Sequence, residues 1–158
     1  MIDTINTFYK AFKALDAEKM VSCYHENIKF EDPAFGMLDG ESACNMWRML
    51  CESQKNKGFQ LEFSQVHYDG VHGHAHWEAT YTFSKTGRKV HNVINAQFEF
   101  KEDKIIKHTD DFDLHRWAKQ AMGFKGWFLG GTKFFKDALQ KQTNQLLSTY
   151  ETKIKKAT

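Results

Sequence analysis

The order of patterns along this chain predicts an α+β domain. Helical apolar spacing fills three stretches before residue 55, and four alternating segments separated by turn residues follow between 59 and 112. Apolar residues recur at helical spacing over about 2–14 and again over about 17–25, with a break near Asp16. The only proline, Pro33, fixes its own φ and pushes Asp32 toward extended backbone, so Asp32 ends a short strand at a rigid turn. A third helix is expected over about 40–54. Residues 59–68, 74–84, 89–101 and 104–112 then alternate as strands, punctuated by Asp69-Gly70, Thr86-Gly87 and Glu102-Asp103. Helical spacing resumes over 114–122, and Gly126-Trp127-Phe128-Leu129-Gly130-Gly131 breaks it. Residues 132–155 form a basic amphipathic helix whose stripe includes Phe135, Leu139, Leu146 and Tyr150. That stripe must be buried. Docking on the sheet or on a second subunit is the preferred account; an anionic membrane surface or a lid over a pocket mouth are the alternatives.

A chain of 158 residues with 41% hydrophobic content builds one real core and leaves no room for a second domain. Cys23, Cys44 and Cys51 are odd in number and lack CxxC spacing, and the N-terminus carries no basic-then-apolar segment, so a cytoplasmic location is expected. No run approaches the roughly 18 apolar residues of a membrane span. A net charge of +2 gives no push toward nucleic acid. Fourteen Phe, five Tyr and four Trp exceed what a minimal core needs, which favours an aromatic-lined cavity and also fits a dimer face.

Asp32 is the leading functional candidate. Phe30 and Phe35 flank it, and a poorly hydrated carboxylate gains basicity, which suits proton transfer. Period-two alternation puts Ala75, Trp77, Ala79, Tyr81 and Phe83 on one face, with His74, His76 and Glu78 on the other. In 89–101 the inward set is Val90, Asn92, Ile94, Ala96, Phe98 and Phe100, unless a bulge near Ala96 turns Asn95 inward. The last strand carries His108 and Asp110 on a stripe shared with Ile106 and Phe112. If Asp32 and Asp110 converge, repulsion raises one of their pKa values and His108 can share the proton. The plainer alternative is an Asp-His pair satisfying itself inside the sheet. His72, His74 and His76 suit a metal chemically but point away from Trp77 and lack a completing carboxylate or thiolate, so no metal site is expected. Cys44, Trp47 and Cys51 share one helix face as core.

Phe8-Tyr9-x-Ala11-Phe12-x-x-Leu15-Asp16, Met20, Tyr24 and Glu31-Asp32-Pro33 carry a family resemblance. Gly40, Trp47, Gly87-Arg88-Lys89, Phe98-x-Phe100 and His108-x-Asp110-Asp111-Phe112-Asp113 extend it. In that order and spacing the chain resembles the SnoaL-like polyketide cyclases and ketosteroid isomerases of the nuclear transport factor 2-like superfamily. The resemblance implies a cone-shaped, curved antiparallel sheet packed against N-terminal helices around one pocket, and a homodimer. It covers residues 1–123, leaving 124–158 as a C-terminal helical extension of the same domain.

The resemblance also implies roles. Asp32 falls on the proton-shuttling base of the isomerases, and Asp110 on the last-strand acid of the cyclases, with His108 beside it. The oxyanion-hole positions of the isomerases fall on Phe8 and Ala96, neither of which donates a hydrogen bond. The Arg-x-Asp of limonene-epoxide-hydrolase-like relatives is replaced by Val93-Ile94-Asn95. The expected ligand wall is Phe8, Phe12, Tyr24, Phe35, Trp47, Trp77, Tyr81, Asn95, Phe98 and Phe112. The activity implied is a cofactor-free isomerase, cyclase or hydratase acting on a small apolar carbonyl compound. The alternative is a non-catalytic receptor for a small hydrophobic molecule, or a dimeric scaffold.

Overall fold

A computed structural model describes residues 1–157. Two short helices, α1 (Ile2–Lys13) and α2 (Ala17–Ser22), lead into the hairpin β1 (Tyr24–Asp32) and β2 (Gly36–Asp39), which is followed by α3 (Gly40–Gln54). Strands β3 (Gln60–Tyr68), β4 (His72–Phe83), β5 (Arg88–Lys101) and β6 (Lys104–Asp111) form a meander. The chain ends in α4 (Leu114–Met122), α5 (Phe124–Leu129) and α6 (Lys133–Ala157). The six strands make one open curved sheet in the order β2-β1-β6-β5-β4-β3, and β1 runs parallel to β6 while every other pair is antiparallel.

Each element follows from its local chemistry. Helix α1 buries Ile5, Phe8, Tyr9 and Phe12, which recur at one face of a 3.6-residue period, against β3, β4 and α2. The Asp16 side chain accepts the Lys19 N–H and caps α2. Helix α2 ends at Ser22, three residues before the expected limit, because the Cys23 carbonyl accepts the Ile105 N–H and draws Tyr24 into the sheet beside Ile105. Strand β2 was not anticipated. It arises because Asp32 and Gly36 close a tight hairpin in which Gly36 adopts φ +72°, a conformation that favours glycine.

The glycine-rich stretch after α4 is a second departure, being helical where a break was expected. Gly126 and Gly130, four residues apart, let α5 lie backbone to backbone on α4, where a Cβ on Gly126 would fall 1.8 Å from the Ala118 carbonyl oxygen. Helix α6 packs back on the domain, against the sheet and α3, and contributes to the cavity wall. Its Leu139 packs with Val90, Trp117 and Ala118, and Leu147 joins the main core. Polar bonds fix it to the Asp32 turn: the Thr143 hydroxyl donates to Ala34 O, the Gln140 amide to Pro33 O and the Asn144 amide to Phe35 O. Further along, Glu151 accepts from Ser42 and Asn45 of α3.

Candidate functional site

Between α3, the apolar face of the sheet and α6 lies a cavity of about 520 Å³. Aromatic and aliphatic side chains dominate its lining, and Asp32 and Asp110 are the two carboxylic acids in it. A smaller hollow of about 230 Å³ lies around Asn92, Asn95, Asp111 and Arg116 and contains neither Asp32 nor Asp110. The larger cavity is therefore the candidate site.

Asp32 reaches it from the end of β1. Pro33 stops the strand, and Asp32 Oδ1 accepts the backbone N–H groups of Ala34 and Phe35, so the turn holds the carboxyl in one orientation. Burial raises its pKa from 3.8 to about 7 and the Asp110 charge adds to the rise; the two backbone hydrogen bonds and Lys136 oppose it. A carboxyl poised near neutrality can both take and return a proton.

Asp110 is held differently. His108 Nε2 and Trp77 Nε1 both reach its Oδ1, at 3.0 and 3.2 Å. On the far side of the imidazole, Nδ1 lies 2.7 Å from the Tyr24 hydroxyl, which accepts the Trp47 Nε1–H at 2.8 Å. One arrangement of donors satisfies the whole chain: Trp47 donates to Tyr24, Tyr24 donates to Nδ1, and Nε2–H and Trp77 donate to Asp110 Oδ1. Both side-chain bonds use Oδ1, so among the described residues Oδ2 is the acceptor left for the cavity. The Asp-His pair thus satisfies itself and still presents one oxygen to the site.

Tyr81 supplies a third polar group. Its hydroxyl accepts the Trp117 Nε1–H at 2.7 Å, leaving its own hydrogen free for a cavity ligand. Burial raises its pKa to about 12, and the Asp32 charge contributes.

The model of the SnoaL-like domain matches residues 5–108. The chain belongs to this family. Its fold is similar to that of an LEH-like epoxide hydrolase from M. tuberculosis, at 18% identity and a TM-score of 0.62, covering 82% of this chain and 90% of that one. TerC co-crystallised with polyporic acid matches at 16% identity and a TM-score of 0.63, covering 76% and 96%. A putative polyketide cyclase from Xanthomonas campestris pv. campestris matches at 15% identity and a TM-score of 0.59, covering 75% and 94%. At these identities the likeness is one of fold. No curated protein matches the chain.

Within this SnoaL-like domain the cavity wall differs from the expected one at four positions. Phe12, Phe35, Trp47, Trp77, Tyr81 and Phe112 line the cavity together with Asp32 and Asp110. Phe8, Tyr24 and Phe98 do not: they form a second layer, with the Phe8 and Phe98 rings 5.4 and 4.5 Å from the His108 ring. His108 itself is fully buried and reaches the cavity only through Asp110. Asn95 is the fourth. Strands β4 and β5 pair without a bulge, with Ala75 opposite Ala96 and His76 opposite Asn95, so Asn95 faces outward and bonds His76 at 3.1 Å. The same face carries His76 and His91 on the two oxygens of Glu78.

Other lining residues were not singled out from sequence. Asn92 stood on the inward stripe but attracted no role. Trp117, and Leu139, Thr143, Leu146 and Tyr150 of α6, enter the wall only because the C-terminal helices fold back over it. Their helical spacing marked them as buried without saying against what.

Proposed function

We propose that this SnoaL-like protein is a cofactor-free isomerase, cyclase or hydratase that moves a proton on a small, largely apolar carbonyl compound. One observation carries the reading: the Asp32 carboxyl, raised to about pKa 7, shares a largely apolar cavity with Asp110. Asp32 removes a proton from the carbon next to the substrate carbonyl, and the electron pair moves onto the carbonyl oxygen. Tyr81 donates its free hydroxyl hydrogen to that oxygen, a role that neither Phe8 nor Ala96 can take. Asp32 then returns the proton at another carbon, giving isomerisation, or the enolate attacks an electrophile within the substrate, giving ring closure. Asp110, oriented by His108 and Trp77, acts as the second acid or orienting group. The reading includes a cytoplasmic protein, in keeping with three buried, unpaired cysteines, and a homodimer formed through the polar outer face of β4 and β5.

A non-catalytic receptor is the second reading, favoured by the way Thr143 and Leu146 of α6 close the wall over an apolar space. Thermal-shift screening against steroids, polyketide-like ketones and terpenoid epoxides, followed by product analysis, separates the two. Turnover lost in Asp32→Asn with ligand binding retained supports the enzyme. Turnover that survives this substitution removes Asp32 from its role, and a ligand that always returns unchanged establishes the receptor.

A further inference from the structure

Helix α5 has its polarity reversed. Its side-chain-free face, Gly126 and Gly130, is turned inward: a Cβ on Gly130 would meet the Ala118 Cβ at 2.5 Å, and the Trp127 carbonyl bonds His115 Nε2 at 2.8 Å. The opposite face carries Phe124, Trp127 and Phe128 at spacing i, i+3 and i+4, with exposures of 77%, 54% and 70%. Phe124 and Trp127 stack with centroids 5.8 Å apart. Leu129 and Phe134 add further exposed apolar surface in the next six residues. A helix on a water-facing surface ordinarily buries such residues, and a contiguous exposed aromatic face marks an interaction site.

Charge selects the occupant. Residues 114–141 contain six Lys or Arg and one acidic residue, Asp137, while the whole chain carries only +2. Asp137 is itself paired with Lys133. A second copy of the chain would bring the same positive stretch against this one, which disfavours self-association. Aromatic rings beside lysines are the chemistry of an anionic lipid surface, where rings sit at headgroup depth and ammonium groups meet lipid phosphates. We infer that the α5 face, Phe124, Trp127 and Phe128 with Lys125 and its basic neighbours, seats the protein peripherally on an anionic phospholipid bilayer. No described helix is long and apolar enough to cross one.

The test uses the full chain with vesicles of phosphatidylcholine alone or mixed with phosphatidylglycerol. Trp47, Trp77 and Trp117 are buried, so a change in tryptophan emission reports Trp127. The expected result is co-sedimentation with the anionic vesicles and a blue shift, both weakened by salt, with at least about tenfold weaker binding to phosphatidylcholine alone. Phe124→Ser with Phe128→Ser, both at exposed positions, is expected to weaken anionic binding about tenfold or more with thermal stability unchanged. Lys125→Glu provides a second variant that leaves the aromatic face intact and also weakens binding. Wild type that ignores both vesicle types overturns the proposal, as does undiminished binding by both variants. A wild-type oligomer that the aromatic variant converts to monomer assigns the face to a subunit contact and also overturns it.

Discussion

His108 Nε2 lies 3.0 Å from Asp110 Oδ1, two residues along the same strand, and both side chains are buried. Alternate residues of a strand point to one face, so β6 delivers the imidazole and the carboxylate side by side without help from any loop. His108→Ala removes one donor from the buried Asp110 carboxyl and leaves the Tyr24 hydroxyl hydrogen without its acceptor, while Trp47 still donates to the Tyr24 oxygen. The expected loss of stability is about 3 kcal/mol in urea unfolding. A loss within ordinary surface-substitution range would mean that water replaces the imidazole without cost.

Asp32 acts on stability with the opposite sign. In the unfolded chain it ionises near its ordinary value of 3.8, whereas in the fold it does so at about 7. Between these values the folded state holds a proton that the unfolded state has released. Its contribution therefore destabilises the fold progressively as pH rises from about 4 to 7, and the deficit remains above that. Asp32→Asn keeps an oxygen for the Ala34 and Phe35 N–H groups and removes the charge. The variant should exceed wild type at pH 8 by on the order of 4 kcal/mol and match it near pH 4. Equal differences at both pH values would show that ionisation is not the cause.

Turnover by the proposed mechanism should also follow this titration. In wild type, kcat/KM is expected to climb through about pH 7 as Asp32 becomes a base. A rate already flat from pH 5 upward would assign the base elsewhere.

Tyr81→Phe separates packing from chemistry. The ring still fills its place, but the Trp117 indole N–H loses its acceptor, at a cost of about 1 kcal/mol. If Tyr81 donates to a developing oxyanion, kcat falls about 100-fold while KM changes little. An unaltered kcat confines the hydroxyl to its structural bond.

Gly126→Ala should detach α5 from α4, because the added carbon would sit 1.8 Å from the Ala118 carbonyl and backbone must shift. Hydrogen exchange in residues 124–129 is expected to rise to the rate of an open segment, with the protection of β4 and β5 intact. Unchanged protection would mean that α4 yields instead.

Much of the architecture was legible because period-two alternation in β3 to β6 and period-3.6 spacing in α1 and α3 are written by burial on one face. The end of α2 was not, since Tyr24 and His25 continue an apolar pattern that suits either state; only the distant partner Ile105 makes that stretch a strand. The glycines of α5 looked like a break because local propensity cannot register that a neighbouring helix needs their missing side chains. Asp32, Asp110, Trp77 and Tyr81 line the cavity, and turn chemistry and alternation are what make them conspicuous in the sequence. Asn95 was not: its direction depended on a bulge, and the irregularity lies instead at Glu99 and Phe100, on the β6 side. Phe8, Tyr24 and Phe98 show the remaining limit, since inward-facing says nothing about how many layers deep a side chain sits.

The parallel pairing of β1 with β6 sets Phe30 opposite His108. Nearly eighty residues separate these neighbours, and parallel strands gain nothing from a local turn. Closure of that ladder must await β6, so the two halves of the site meet only late in folding. A chain emerging from the ribosome would carry Asp32 early yet remain unable to assemble the cavity until its last strand was free.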